Sequence, residues 1–305
     1  MPLPSDVKRF IALILFLSAL CSLPLWTHPA GMDHPLVGII LLFFMYTPAA
    51  AALYLSWLNG ETNRKALFAW SLGHQWKRHW LLHWIGWPLL CLASLLLAHL
   101  VGLYQVDLQF SGLSHWISTS INLAADQSGQ PIIRLPLTSS QMAYSYLGLL
   151  VVAPLVVGAV SIGQELAWRG WLFSKLLPLG SLKAIVLSNL VWGLWYAPIV
   201  ALGHRYPEWP LVGVLMMMLF CQLVGTILAW SRLQTDSVWP SVIGHAAIIG
   251  VQPLPFLFHH VNHLPHSLLV GVGGLTGCLL LTGTVFLLYK GNALHPSLPL
   301  IEQRR

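Results

Sequence analysis

Apolar runs long enough to cross a bilayer recur along this chain, separated by short connectors that carry most of the charge. A spanning helix needs about 20 mainly apolar residues. Eight runs fit: Phe10 to Trp26, Leu36 to Leu58, Leu81 to Leu103, Gln141 to Ile162, Leu182 to Leu202, Leu211 to Trp230, Trp239 to Leu257 and Leu268 to Tyr289. Hydrocarbon offers no hydrogen-bond partners, so each run has to satisfy its own backbone as a helix. The pattern predicts an all-α, multi-pass membrane helix bundle of about eight transmembrane helices.

Two connectors stand out. Tyr104 to Ser140, the longest polar stretch, holds Asp107, Asp126 and Ser128-Gly129 and is expected to be a partly ordered connecting loop; a lid or docking site is the sharper reading. Glu61 to Trp80 mixes Arg64, Lys65, Lys77 and Arg78 with Trp70, Trp76 and Trp80. That mixture suits an amphipathic helix at the membrane interface, or simple flanking anchors.

Composition agrees with a lipid environment: 56% of residues are hydrophobic and 8% charged, where soluble proteins carry roughly a quarter charged. The net charge of +6 comes without any basic stripe interleaved with aromatics, so nucleic acid is not an expected partner. Position explains the charge better. With a cytoplasmic N-terminus, 13 of the 15 Lys and Arg residues fall on the cytoplasmic side and only Arg134 and Arg205 fall outside. That is the positive-inside pattern, and it predicts that both termini are cytoplasmic. The first run is expected to stay as an uncleaved span, since Ser18-Ala19-Leu20-Cys21 places leucine where a lipoprotein signal needs a small residue. The four cysteines lie within apolar runs and imply neither disulfides nor a zinc spacing. Many of the 15 tryptophans lie near run ends, as interfacial belts require.

Ionisable groups inside spans are costly and so point to function. Three segments carry them: Gly163-Gln164-Glu165-Leu166-Ala167-Trp168-Arg169-Gly170, Trp192-Gly193-Leu194-Trp195-Tyr196-Ala197-Pro198, and Trp239-Pro240-Ser241-Val242-Ile243-Gly244-His245. Glu165 and Arg169 are four apart and can pair across one helical turn, and Trp192 and Tyr196 share a face. At about 1.5 Å per residue, Glu165, Tyr196 and His245 lie roughly 10 to 20 Å deep, so one cavity could hold all three. Taken singly, the Glu165–Arg169 pair reads equally well as structural, and His245 as a helix-packing group.

In this order on successive spans, the segments resemble the CAAX prenyl endopeptidase (CPBP, or Abi) family of intramembrane proteases. That family carries Glu-Glu-x-x-x-Arg, Phe/Trp-x-x-x-His and His-x-x-x-Asn motifs. The resemblance covers about Gln141 to Gly250 and is strengthened by Trp168-Arg169-Gly170, Trp192-Gly193-Leu194-Trp195 and Trp239-Pro240. It divides the chain into an N-terminal three-span region with an outer loop (1–140), a protease-like core (141–257), and an outer His-rich loop with the last span and tail (258–305). Position by position, Gln164 stands at the first glutamate, Glu165 at the second, Arg169 at the arginine and Trp192 at the aromatic. Tyr196 stands at the first histidine, His245 at the second, and Ile249 at the asparagine.

The resemblance implies hydrolysis of a membrane-associated or prenylated peptide near the cytoplasmic face, in which the first glutamate and histidine activate water and the later histidine and asparagine stabilise the oxyanion. Three of these positions have changed. An amide has no useful basicity, a phenol has a reference pKa of about 10, and isoleucine donates nothing. Zinc, a cofactor the resemblance leaves open, generally takes three protein ligands, and only Glu165 and His245 remain. Activity is therefore expected to be reduced or lost, with a rearranged site using Glu165 as base and Tyr196 as donor as one alternative and a non-catalytic binding or scaffold protein as another. A transporter is the outsider; it predicts inverted repeats or matched broken helices, for which only Pro154 and Pro198 speak. The expected partners are the lipid bilayer and a membrane-associated or lipidated peptide, and the expected location is a bacterial plasma membrane. The loop His259-His260-Val261-Asn262-His263-Leu264-Pro265-His266 holds good metal ligands, but its prolines and irregular spacing favour an ordinary loop.

Overall fold

A computed structural model of the chain describes residues 3–128 and 138–295, with side chains described outside 120–128. Arg134, Gly129, Arg304, Arg305 and the side chain of Asp126 lie outside what is described. The main helices are α1 (Ser5–Thr27), α2 (Val37–Leu58), α3 (Trp76–Leu100), α4 (Ser111–Ser128), α5 (Ser139–Val156) and α6 (Gly158–Glu165). They continue with α7 (Ser181–Val200), α8 (Pro210–Thr235), α9 (Trp239–Val251) and α10 (Leu275–Lys290). Among the described residues, seven helical stretches are long and apolar enough to cross a membrane, and the shorter α10 makes the eighth apolar helix. The protein is an all-α, multi-pass membrane bundle, as the pattern predicts. Large apolar side chains such as Phe43, Leu89 and Leu287 point outward, 67, 61 and 70% exposed, which suits a lipid-facing surface.

The predicted run from Gln141 to Ile162 is broken at Val157, just after Pro154, and resumes as α6. A proline has no N–H to give the preceding turn, so the chain can turn there. α6 then runs without a break into a π-helical stretch, Leu166–Leu172, and a last turn, Phe173–Leu176. Residues 268–274 are not helical, so the last predicted span starts late, at Leu275.

Small residues set the close approaches between helices, as expected where lipid supplies no hydrophobic drive for helix association. A Cβ on Gly193 of α7 would stand 2.9 Å from Met218 Cα of α8, and one on Gly163 would stand 2.8 Å from a Tyr46 ring carbon of α2. Trp168, Trp171, Trp192 and Trp195 are buried, with Phe44 stacked on Trp195 at 4.3 Å and Phe10 against Trp171 at 5.2 Å. The belt reading fails for these four indoles. They fill the core because the π-helical stretch and α7 present them inward.

Both connectors differ from expectation. Tyr104 to Ser140 contains the 18-residue α4, with Asp107 accepting from the amides of Gln109 and Ser111 at 2.7 Å each. Glu61 to Trp80 holds one helical turn, Arg64–Leu67, left-handed residues at Ala69, Gly73 and Gln75, and the start of α3 at Trp76. Backbone pairing decides this: His74 N–H donates to Thr235 O and Val238 N–H to Ala69 O, so the connector is tied to the α8–α9 turn. Trp239 Nε1 donates to Trp70 O at 2.8 Å and closes the same junction.

Candidate functional site

The three polar segments lie on α6 with its π-helical extension, on α7 and on α9, and they meet. Gln164, Glu165 and Arg169 are fully buried, and Trp192, Tyr196 and His245 are at most 6% exposed. Glu165 Oε1 accepts from Arg169 Nη1 at 2.9 Å and faces His245 Nδ1 at 2.7 Å. A carboxylate only accepts, so that contact places the hydrogen on Nδ1. The Arg169 guanidinium lies 4.4 Å from the Trp192 ring centroid, and the His245 imidazole meets the edge of the same ring at 5.2 Å. Trp192 thus separates two cationic or hydrogen-bonding groups that both converge on one carboxylate.

Gln164 forms a second, adjoining centre. Its Oε1 accepts from Trp192 Nε1 at 3.0 Å and from Tyr196 Oη at 3.3 Å, while its Nε2 points to Met45 Sδ of α2. Both lone pairs of the amide oxygen are therefore engaged within the protein. Ile249, at the position of the family's asparagine, is half-buried and brings no polar group.

Sequence reasoning missed three participants. Asn189 Oδ1 accepts from Arg169 Nη2 at 3.3 Å, and its Nδ2 donates to Gln222 O. Helical spacing could have found it, because 189, 192 and 196 share one face of α7. Arg232 Nε donates to the carbonyl of Arg169 at 3.1 Å, which anchors the π-helical stretch to α8. π-Helical turns leave carbonyls without their usual partner, and they recur at functional positions. Gly225 of α8 makes room for the whole arrangement: a Cβ there would stand 2.2 Å from Asn189 Oδ1 and 2.6 Å from Arg169 Nη2. Neither Gly225 nor Met45 carries a signal in one sequence.

Three cavities among the described residues, of about 260, 300 and 360 Å³, are lined by other side chains than Gln164, Glu165, Arg169, Tyr196 and His245. The side chains close on one another instead. Among the described residues, the acceptor Glu165 Oε2 and the donor Arg169 Nε are buried with no hydrogen-bond partner. A divalent zinc does not fit this donor set. The single carboxylate is already neutralised by a guanidinium at contact distance, Nδ1 of the one histidine is turned to the same oxygen, and among the described residues no three His, Cys, Asp or Glu side chains gather.

The outer histidines are spread over their loop. His259 packs where Gly112 of α4 lacks a Cβ and turns Nδ1 to Phe256 O at 2.7 Å. His260 and His266 accept from the amides of Asn262 and Leu268.

Fold and centre together define a multi-pass membrane protein with a buried acid–base cluster assembled from three helices. Residues 145–251, which contain that cluster, match the family model described as type II CAAX prenyl endopeptidase, Rce1-like. This stretch, about a third of the chain, is therefore similar to the CAAX endopeptidase (CPBP) family. A comparison with curated proteins gave no match.

Proposed function

We propose that this protein keeps the fold of a CAAX-type intramembrane protease, has lost or strongly reduced its peptidase activity, and binds a membrane-associated or lipidated peptide near the cytoplasmic face. The observation that carries the reading is the state of Gln164. It stands where the resemblance asks for the water-activating glutamate, yet it is an amide whose oxygen is filled by Trp192 and Tyr196. Loss of a general base typically removes a factor of about 10² to 10⁴, and loss of an oxyanion donor, here at Ile249, about 10² to 10³ more. Glu165 does not substitute easily, because Arg169 and His245 share the oxygen that faces them. The 13-to-2 split of Lys and Arg supports a cytoplasmic site and cytoplasmic termini, and we place the protein in a bacterial plasma membrane.

One observation favours a second reading, a rearranged but working centre. Glu165 Oε2 is an unpaired buried acceptor, the group a water would need, with Tyr196 as the nearby hydroxyl donor to Gln164. The deciding experiment gives the purified full chain prenylated and unmodified membrane peptides beside a Glu165→Ala variant. The expected result is binding without cleavage. Cleavage that vanishes in the variant overturns the inactive reading and establishes the second; absence of binding as well as cleavage overturns both. Hydrolysis acquired by the double change Gln164→Glu with Tyr196→His supports the first reading further.

A further inference from the structure

Away from the cluster, two cavities share one face of α8. Gln222, Thr226, Trp230 and Gln234 recur every four residues and therefore lie along a single stripe of that helix. The first two line an open apolar cavity of about 360 Å³ bordered by Leu182, Ile185, Val285 and Phe286, from α7 and α10. The last two line a cavity of about 300 Å³ with His74, Gln75, Arg78 and His79, at the start of α3. Leu294 borders the first cavity and Ala293 the second, so the two are separated by one short turn of chain. Gln234 holds that turn in place by donating to Ala293 O at 2.8 Å and His295 O at 3.0 Å.

Their chemistry is ordered along α8. The polar cavity lies at the bundle end that carries Lys77, Arg78 and Lys290, and the apolar one lies one to three turns deeper along α8. The lining of the polar cavity contains Arg78 and two imidazoles and no carboxylate, and Arg78 makes no ion pair among the described residues. At about 30 Å³ per water, its volume holds on the order of ten waters, enough for a phosphate with part of a glycerol. The deeper cavity presents an almost wholly apolar lining.

We infer that this stripe of α8 is a binding site for one anionic glycerophospholipid of the adjacent leaflet, its phosphate against Arg78, His74 and His79 and an acyl chain between α7, α8 and α10. Charge complementarity selects the occupant. A phosphate alone leaves the apolar half empty, a lipid without a phosphate offers Arg78 no anion, and a choline headgroup brings a cation beside Arg78. An exposed basic residue facing an anionic headgroup strengthens binding about fivefold.

The test titrates the detergent-solubilised full chain with phosphatidylglycerol and, separately, phosphatidylcholine, counting bound lipid by native mass spectrometry. The expected result is one retained phosphatidylglycerol, bound at least fivefold more tightly than phosphatidylcholine. Arg78→Gln should weaken that preference about fivefold, and Val285→Trp, which fills the apolar half, should weaken both lipids. Equal binding of the two lipids, or an unchanged preference in Arg78→Gln, overturns the inference. So does displacement of phosphatidylglycerol by millimolar inorganic phosphate, which would mark a site for soluble anions. Arg78 is exposed, so its variant tests the site even if Val285→Trp fails to fold.

Discussion

Replacing Arg169 by methionine should destabilise the protein more than removing Glu165 and Arg169 together. The side chain has similar length, so the change removes charge and hydrogen bonds with little loss of volume. Arg169 gives Glu165 its contact at 2.9 Å, gives Asn189 a bond at 3.3 Å and covers the Trp192 ring. Glu165 is fully buried, and His245 is then its one remaining partner among the described residues. Breaking a buried pair on one side typically costs about 3–5 kcal/mol, because the surviving charge stays desolvated. Loss of the cation–π contact adds about 1–2 kcal/mol for a desolvated site. The double variant Glu165→Gln with Arg169→Met removes both charges, so it should recover at least half of the loss. Equilibrium unfolding in mixed SDS and mild-detergent micelles, followed by tryptophan fluorescence, measures all four corners of the cycle. A single variant within about 1 kcal/mol of the parent, or a double variant no better than the single, refutes the view that this pair is a desolvated unit.

Other changes probe the surroundings. Gly225→Ala places a methyl group 2.2 Å from Asn189 Oδ1 and should cost about 1–3 kcal/mol in the same unfolding assay. Ser231→Ala removes the hydroxyl shared by His79 Nδ1 at 3.0 Å and His83 Nε2 at 2.7 Å, and should cost about 1–3 kcal/mol by leaving buried imidazole nitrogens unpaired. At the cation-rich end, Lys175 Nζ lies 2.8 Å from Asp6 and 2.5 Å from Glu61. Burial alone would raise the Glu61 carboxyl, but the ion pair with Lys175 and the bond from Trp171 outweigh it and hold it below its usual range. A depressed carboxylate contributes stability above its unfolded pKa of about 4.3 and loses it as pH falls through the folded value. Thermal stability should therefore drop on acidification below about pH 4 more steeply in the parent than in Lys175→Met.

What one sequence determines here is tied to local periodicity and to cost. Uninterrupted apolar runs specify membrane helices because no other backbone arrangement survives in hydrocarbon, and the bundle follows from them. Glu165, Arg169 and His245 are legible as functional candidates for the same reason: a charge placed in an apolar run has to be repaid by a partner. Helical spacing alone pairs Glu165 with Arg169, and it could have added Asn189. Where the partners come from other helices, the sequence is silent. Only the packing of α6, α7 and α9 brings His245 to within 2.7 Å of Glu165, and only the missing side chain of Gly225 on α8 lets Asn189 and Arg169 meet. Tertiary structure also decided against an interfacial helix at Glu61 to Trp80, where backbone pairing to the α8–α9 turn won, and placed the helix α4 within the connector Tyr104 to Ser140. These outcomes depend on shape across the bundle, which residue spacing along a single chain does not encode.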